Sequence, residues 1–343
     1  MYMQNRSKFF GTIFLTLTLF ALVLSADSAA AREFSMGHTG QPSVTFAQAA
    51  EKFAEFMNTH SDGKLTVKVL GASALGNNRE GIEQLQQGVT DFWIISTGLL
   101  APFTKAVTLY DLPYLFKSEK AGIDFFNGPL AQEITQPLEG KGLKSLGYFS
   151  MGWRHIHSNI AVRKPDDLKG VKIRTEPAPI RMSIFKTMGA NPIPMDFGEV
   201  FTSLQQGVID AGENSLENIQ SQAFHTVQKY VTMDGHILDP MLLVISKRTW
   251  DGLSDEEKET VQKAATEACI WDQENIAANS KKILDTFMAE PSPEVIILTA
   301  EERAAFREAC QPVYDAYFKE YGSELYDKLA AFQEPYEAEA PQN

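Results

Sequence analysis

The sequence predicts an α/β protein built as two related lobes with a ligand cleft between them. Three observations predict it. Strand-like and helix-like runs alternate with short breaks, the order that builds sheets with substantial parallel pairing. The segment Leu85-Gln86-Gln87-Gly88-Val89-Thr90-Asp91 recurs as Leu204-Gln205-Gln206-Gly207-Val208-Ile209-Asp210, 119 residues later. Each copy reads as a helix end, a glycine able to take left-handed backbone, and the start of a strand; one copy suits each lobe. Finally, Val171-Lys172-Ile173 is a short strand ending at Arg174, followed by a turn with Pro177 and Pro179 and a helix from about Ile180. A guanidinium at the carboxyl end of a strand, facing a helix amino terminus, suits a small carboxylate. Its planar fork holds both oxygens, and free backbone N–H groups add positive potential.

Taken in order, residues 1–31 read as an export signal. Arg6 and Lys8 give the positive start, an apolar run extends from Phe9 to Leu24, and small residues end in Ala29-Ala30-Ala31, an A-x-A pattern with cleavage expected near Ala31. No later apolar run approaches the ~20 residues that span a bilayer. The expectation is a soluble, periplasmic product with enough chain for two cores. The formal net charge is −13, and loss of Arg6, Lys8 and Asp27 would make it more negative by one. Such acidity argues against nucleic acid or an anionic membrane as partner.

Phe34 to Gly37 reads as the first strand, and Ser43 as the cap of a helix carrying Phe46, Ala49, Ala50, Phe53, Phe56 and Met57 on one face. Asp62-Gly63 breaks the chain before the alternating strand Leu65, Val67, Val69. A second helix carries Ile82 and Leu85, stops at Gly88, and leads to the strand Phe92–Ile95. Towards the end, Ser254 with Glu257 and Thr299 with Glu302 form capping-box patterns, separated by the strand candidate Val295–Leu298. The acidic tail beyond Tyr336 reads as loose. Cys269 and Cys310 are the only cysteines. Export permits a disulfide between them, and burial as free thiols is the alternative.

Several long segments, in order, resemble the solute-binding proteins of TRAP transporters, the DctP-like family. They are Asp167-Leu168-Lys169-Gly170-Val171-Lys172-Ile173-Arg174, Gly189-Ala190-Asn191-Pro192-Ile193-Pro194-Met195, Glu199-Val200-Phe201 and the stretch from Leu204 through Asn214. Leu112-Pro113-Tyr114-Leu115-Phe116, Gly152-Trp153-Arg154 and Gln228-Lys229-Tyr230 add to them. The resemblance covers nearly all of the chain after the signal. It implies a two-lobed periplasmic-binding-protein fold of type II-like character, with hinge strands and a long bridging helix. It places lobe one at about 32–151 plus 240–279 and lobe two at 152–239 plus 280–343. The implied function is capture of a small organic acid, of sugar-acid or four-carbon dicarboxylate type. The acid then passes to a membrane permease of one small and one large subunit.

Carried over by position, the resemblance makes Arg174 the carboxylate clamp, Arg154 a second cleft arginine, Asn214 the group that orients the same carboxylate, and Phe197 an aromatic wall. His38, Asn78 and Ser96 fall where family members place polar groups that set specificity. Two bland readings stay open: Arg154 as a structural ion pair, and Asn214 as the cap of a helix beginning at Ser215. His155 and His157 face one way on a strand but have no third ligand nearby, so no metal is expected. Glu213 and Glu217 read as packing and hydrogen-bonding groups of the hinge. There is no nucleophile elbow, no H-E-x-x-H pattern and no glycine-rich phosphate loop, so neither enzymatic activity nor a cofactor is expected. The rivals are a ligand-binding component of a sensor and a periplasmic enzyme acting on an organic acid. The uncharged polar candidates in lobe one tilt the reading towards a hydroxylated acid.

Overall fold

The structure is a computed structural model, and it describes residues 31–338. Residues 1–30 of the expected signal, and the last five residues of the acidic tail, lie outside the described residues. Among the described residues nine strands form one sheet: β1 Arg32–Gly37, β2 Leu65–Leu70, β3 Phe92–Ser96, β4 Leu143–Ser158, β5 Lys172–Thr175, β6 Asn191–Pro194, β7 Ala211–Ser215, β8 Tyr230–Ser246 and β9 Glu294–Ile297. Their order is β2-β1-β3-β8-β4-β7-β5-β6, with β9 beside β8.

The helices that position the site are α1 Thr45–His60, α2 Asn78–Gln87, α3 Glu119–Phe126, α4 Pro129–Thr135, α5 Pro179–Thr187, α6 Val200–Gln205, α7 Leu216–Ser221, α8 Lys247–Asp251 and α9 Asp255–Ala289. Three more, α10 Ala300–Ala309, α11 Gln311–Tyr321 and α12 Glu324–Phe332, close the chain.

Parallel pairing occurs where strand–helix–strand order led us to expect it. In lobe one β1 lies parallel between β2 and β3. In lobe two β5 lies parallel between β6 and β7. The two lobes are joined by β4 and β8, long antiparallel neighbours that run through both. The lobe limits expected at 151/152 and 239/240 fall in the middle of these strands. Pairing is irregular there between Ser150 and Trp153, and Gly152 takes φ +75°, a conformation that costs glycine little. The 35-residue helix α9 packs on α1, β4 and α7, so it touches both lobes.

The repeated heptad does the same job twice. Gly88 closes α2 in left-handed backbone with φ +69°, and Gly207 follows α6 with φ +70°. Both capping boxes form, at Ser254/Glu257 and at Thr299/Glu302. Apolar burial follows the patterns: Phe46, Ala49, Ala50, Phe53 and Met57 of α1 pack with Phe92, Ile94 and Leu243 in a core on one face of lobe one.

One expected cap is corrected. Ser43 does not cap α1; Val44 occupies that position, and no side chain in its own segment serves the helix start. Instead the Glu217 carboxylate of α7 accepts from the Thr45 N–H at 2.8 Å and from the Thr45 hydroxyl. A carboxylate suits a helix amino terminus, and this one arrives from 172 residues away. Cys269 and Cys310 are both buried and free, so the alternative without a disulfide holds.

Candidate ligand-binding cleft

Arg174 sits where sequence logic placed it, on β5, and the register explains its aim. β5 pairs with β6 so that Arg174 lies opposite Ile193 and Thr175 opposite Pro194. The chain leaving β6 therefore passes over the guanidinium. Nε and Nη2 of Arg174 donate to the Met195 carbonyl at 3.0 and 2.8 Å. The Phe197 ring stands 5.8 Å from the guanidinium carbon, a cation–π arrangement. Arg174 is only 2% exposed, yet it makes no ion pair with any described carboxylate. Burial lowers its pKa from the ordinary guanidinium value, and the charges of Glu176 and Glu213 offset only part of that. A desolvated cation without a counter-ion is unfavourable; an arriving carboxylate relieves it.

The cavity it lines has a volume of about 670 Å³, with Thr39, Asn77, Asn78 and Phe103 on one side and Arg174, Glu176, Met195 and Phe197 on the other. α2 supplies the first wall because Asn77 starts it with a capping box: the Glu80 N–H donates to Asn77 Oδ1 at 2.9 Å, and the Asn77 N–H donates to Glu80 Oε2 at 2.8 Å. The free amide of Asn77 then donates to Asp196 Oδ2 at 3.0 Å, a bond between the two walls. Asn78 has its Oδ1 engaged by the Trp93 indole N–H at 3.1 Å. Trp93 is held in turn between Gly37 and Gly81, since a Cβ at either would collide with its ring.

A larger groove, about 910 Å³, lies between α9 and α4. Its one basic residue, Lys144, is bound to Glu139 at 2.9 Å. It lacks the unpaired cation that an organic anion requires.

Of the seven residues expected in the site, Arg174, Phe197 and Asn78 line the cleft. The other four do not. Arg154 is fully buried and saturated: it donates to both Glu213 oxygens at 2.5 and 2.9 Å, to the Glu213 carbonyl at 2.8 Å and to Asp239 at 2.7 Å. The structural ion pair is what forms. Asn214 is buried on β7, where its Oδ1 accepts from the Ser215 N–H and the Asn218 amide, both at 2.9 Å. Ser215, not Asn214, caps α7. His38 borders a separate groove with Lys52, Gly71 and Trp271; burial pushes its pKa down to about 4, so the ring is neutral. Ser96, at the end of β3, donates to Glu176 Oε2 at 2.9 Å. It touches the cleft through that carboxylate.

Behind the cleft lies a charge network that local sequence patterns do not reveal. Arg181 of α5 donates to Asp111 at 2.8 Å, to Glu176 at 3.0 Å and to Asp239 at 2.6 Å. Asp239 joins Arg181 to Arg154, and Glu213 joins Arg154 to His236 at 3.3 Å. His236 also bonds Asp234 at 2.8 Å. Burial lowers its pKa, but Asp234 and Glu213 more than reverse that, raising it to about 9. Glu176 and Asp196 of the cleft were missed as well. Glu176 lies two residues beyond Arg174 in the same turn, which was the available signal.

The comparisons with known proteins bear on this geometry directly. The family described as "Bacterial extracellular solute-binding protein, family 7", DctP, matches residues 36–321. The chain belongs to that family. Its DctP relatives include the 2,3-diketo-L-gulonate-binding periplasmic protein YiaO of Escherichia coli, 35% identical over 86% of this chain and 90% of that one. The C4-dicarboxylate-binding periplasmic protein DctP of Rhodobacter capsulatus is 30% identical over 84% and 86%. Among solved structures, the sugar acid binding protein of Advenella mimigardefordensis in complex with galactonate superimposes with a TM-score of 0.86. It is 30% identical and covers 89% of this chain and 98% of that one. A TRAP periplasmic solute-binding protein of Sulfurospirillum deleyianum with bound succinate gives 0.83 at 27% identity, covering 88% and 98%. DctP proteins are solute-binding receptors and not enzymes, and the two-lobed fold is theirs. No helix among the described residues is long and apolar enough to cross a membrane.

Proposed function

We propose that this DctP-family protein is a periplasmic receptor, exported by a signal cleaved near Ala31. It captures a small organic acid on Arg174 and delivers it to a two-subunit TRAP permease in the membrane. The single observation behind this reading is the buried Arg174 guanidinium, which opens on a cleft and has no carboxylate partner among the described residues. Charge-assisted bonds contribute roughly 1.5–3 kcal/mol each, and micromolar binding needs about 8.2 kcal/mol in total. A two-pronged clamp, a few polar bonds and cover by Phe197 are enough. Arg154 and Glu213 serve the site from behind, by fixing β4 against β7 beneath the cleft, and Asn214 does so by holding the start of α7 through Ser215 and Asn218. His38 and Ser96 act at a remove, Ser96 by positioning Glu176.

Lobe closure excludes water from the clamp and strengthens it. The Asn77–Asp196 bond is one contact that links the walls of the closed cleft. The experiment is titration calorimetry of the secreted protein against a panel of small organic acids. Saturable binding of at least one acid, with no turnover, is expected. Binding confined to neutral sugars or to amines would contradict the reading.

A further inference from the structure

We propose that Glu176 sets the specificity of the cleft, selecting a polyhydroxylated monocarboxylate over a dicarboxylate. The inference rests on the reading of Arg174 as the carboxylate clamp and asks what the rest of the ligand would meet.

It would meet acceptors. Glu176 lines the cleft two residues beyond Arg174. Its Oε2 is fixed by the Ser96 hydroxyl and by Arg181 Nη1, at 2.9 and 3.0 Å. No described residue donates to its Oε1. A carboxylate held by one oxygen, with the other free, is a rigid acceptor for O–H donors. Asp196 and Glu83 line the same cleft.

Donors with positive charge are scarce. Arg79 is the one other basic residue among those that line the cavity. Its side chain is 86% exposed and tied to Glu83 at 3.3 Å, so it offers no buried second clamp. The cleft thus holds one buried, unpaired cation and a fixed anion beside it. A ligand with one carboxylate and several hydroxyls satisfies both. A second carboxylate would face the buried Glu176 or the exposed Asp196, like charge against like charge, with the stronger repulsion at Glu176, where less water screens it. Rejection of that kind is how a site discriminates between ligands sharing one group.

Ser96 has a defined part here. It comes from β3 of lobe one and orients a carboxylate of lobe two, so it is a positioning residue and not a ligand contact.

The test is calorimetry with D-galactonate and succinate on wild type, Glu176→Gln, Ser96→Ala and Arg174→Ala. Wild type is expected to bind galactonate at least tenfold tighter than succinate. Glu176→Gln keeps the shape and removes the charge; it should shrink that ratio to threefold or less, with succinate binding gained. Ser96→Ala leaves the charge but loosens the carboxylate, which Arg181 alone then holds, so galactonate affinity should fall a few-fold and succinate affinity stay as it was. Should Glu176→Gln fail to fold, the Ser96→Ala ratio decides alone. An unchanged ratio in folded variants, or a wild type that prefers succinate, would overturn the role of Glu176. If Arg174→Ala still loses both acids, the clamp stands and only the selector falls. No binding of either acid to wild type overturns this proposal and counts against the clamp.

Discussion

Arg154 and Glu213 are joined by two guanidinium–carboxylate hydrogen bonds and a third to the Glu213 carbonyl, with neither side chain exposed to solvent. Asp239 completes the shell of Arg154. Twenty residues along the chain, Arg174 is also buried and pairs with no carboxylate among the described residues. The two arginines are therefore placed differently: Arg154 fastens strands shared by the lobes, and Arg174 faces the cleft, where we propose that it meets the ligand. Arg154→Ala should cost about 3–5 kcal/mol, because it leaves Glu213 and Asp239 buried without their partner. Urea unfolding of that variant beside Arg174→Ala checks the contrast. A loss below about 1 kcal/mol for Arg154→Ala would refute it.

The start of α1 depends on a residue from the far side of the hinge. Glu217 accepts from both the N–H and the hydroxyl of Thr45, and the Asn279 amide donates to that hydroxyl at 2.8 Å. Glu217→Ala removes the cap and should cost about 1–2 kcal/mol. The urea midpoint reports it, and an unchanged midpoint would mean that water replaces the carboxylate without loss.

The His236 proton gives the stability a slope in alkali. Burial opposes that proton, but Asp234 and Glu213 hold it to about pH 9 in the folded protein, whereas an unfolded chain releases it near pH 6.5. The contribution is therefore full below about pH 6.5 and is lost as pH rises to about 9, on the order of 3 kcal/mol. Unfolding free energies of wild type and His236→Gln at pH 6.5 and 9.5 test this. Their difference should shrink at the higher pH; a constant difference would show that the ring is not charged.

Trp93 links packing to the cleft. Its ring fills the space above Gly37 and Gly81, and its N–H fixes Asn78. Gly81→Ala should overpack the site, costing about 1–3 kcal/mol, and weaken ligand binding by displacing Asn78. Intrinsic tryptophan fluorescence and a thermal melt follow both effects. Full stability with an unaltered spectrum would show that α2 shifts freely to make room.

What the sequence disclosed and what it hid divide along the range of the interactions. Gly88, Gly207, the capping boxes and Arg174 at the end of β5 are set by neighbours a few residues away, and local pattern exposes them. Arg154 could be matched to a family position, but its role depends on Glu213 and Asp239, 59 and 85 residues distant. Glu217 meets Thr45 across 172 residues, and no spacing rule pairs them. Ser96 was singled out as polar and near the cleft, yet its partner Glu176 only becomes visible when β3 and β5 are brought into one sheet. Charged residues that neutralise one another at long range leave no periodic trace, so the network behind the cleft stayed hidden.

The central claim is tested most directly by calorimetry of Arg174→Ala against whichever organic acid wild type binds. The expected result is a folded protein with its melting transition kept and its affinity reduced more than a hundredfold, equivalent to about 3 kcal/mol or more from the lost pair of charge-assisted bonds. Wild-type affinity in that folded variant would contradict it.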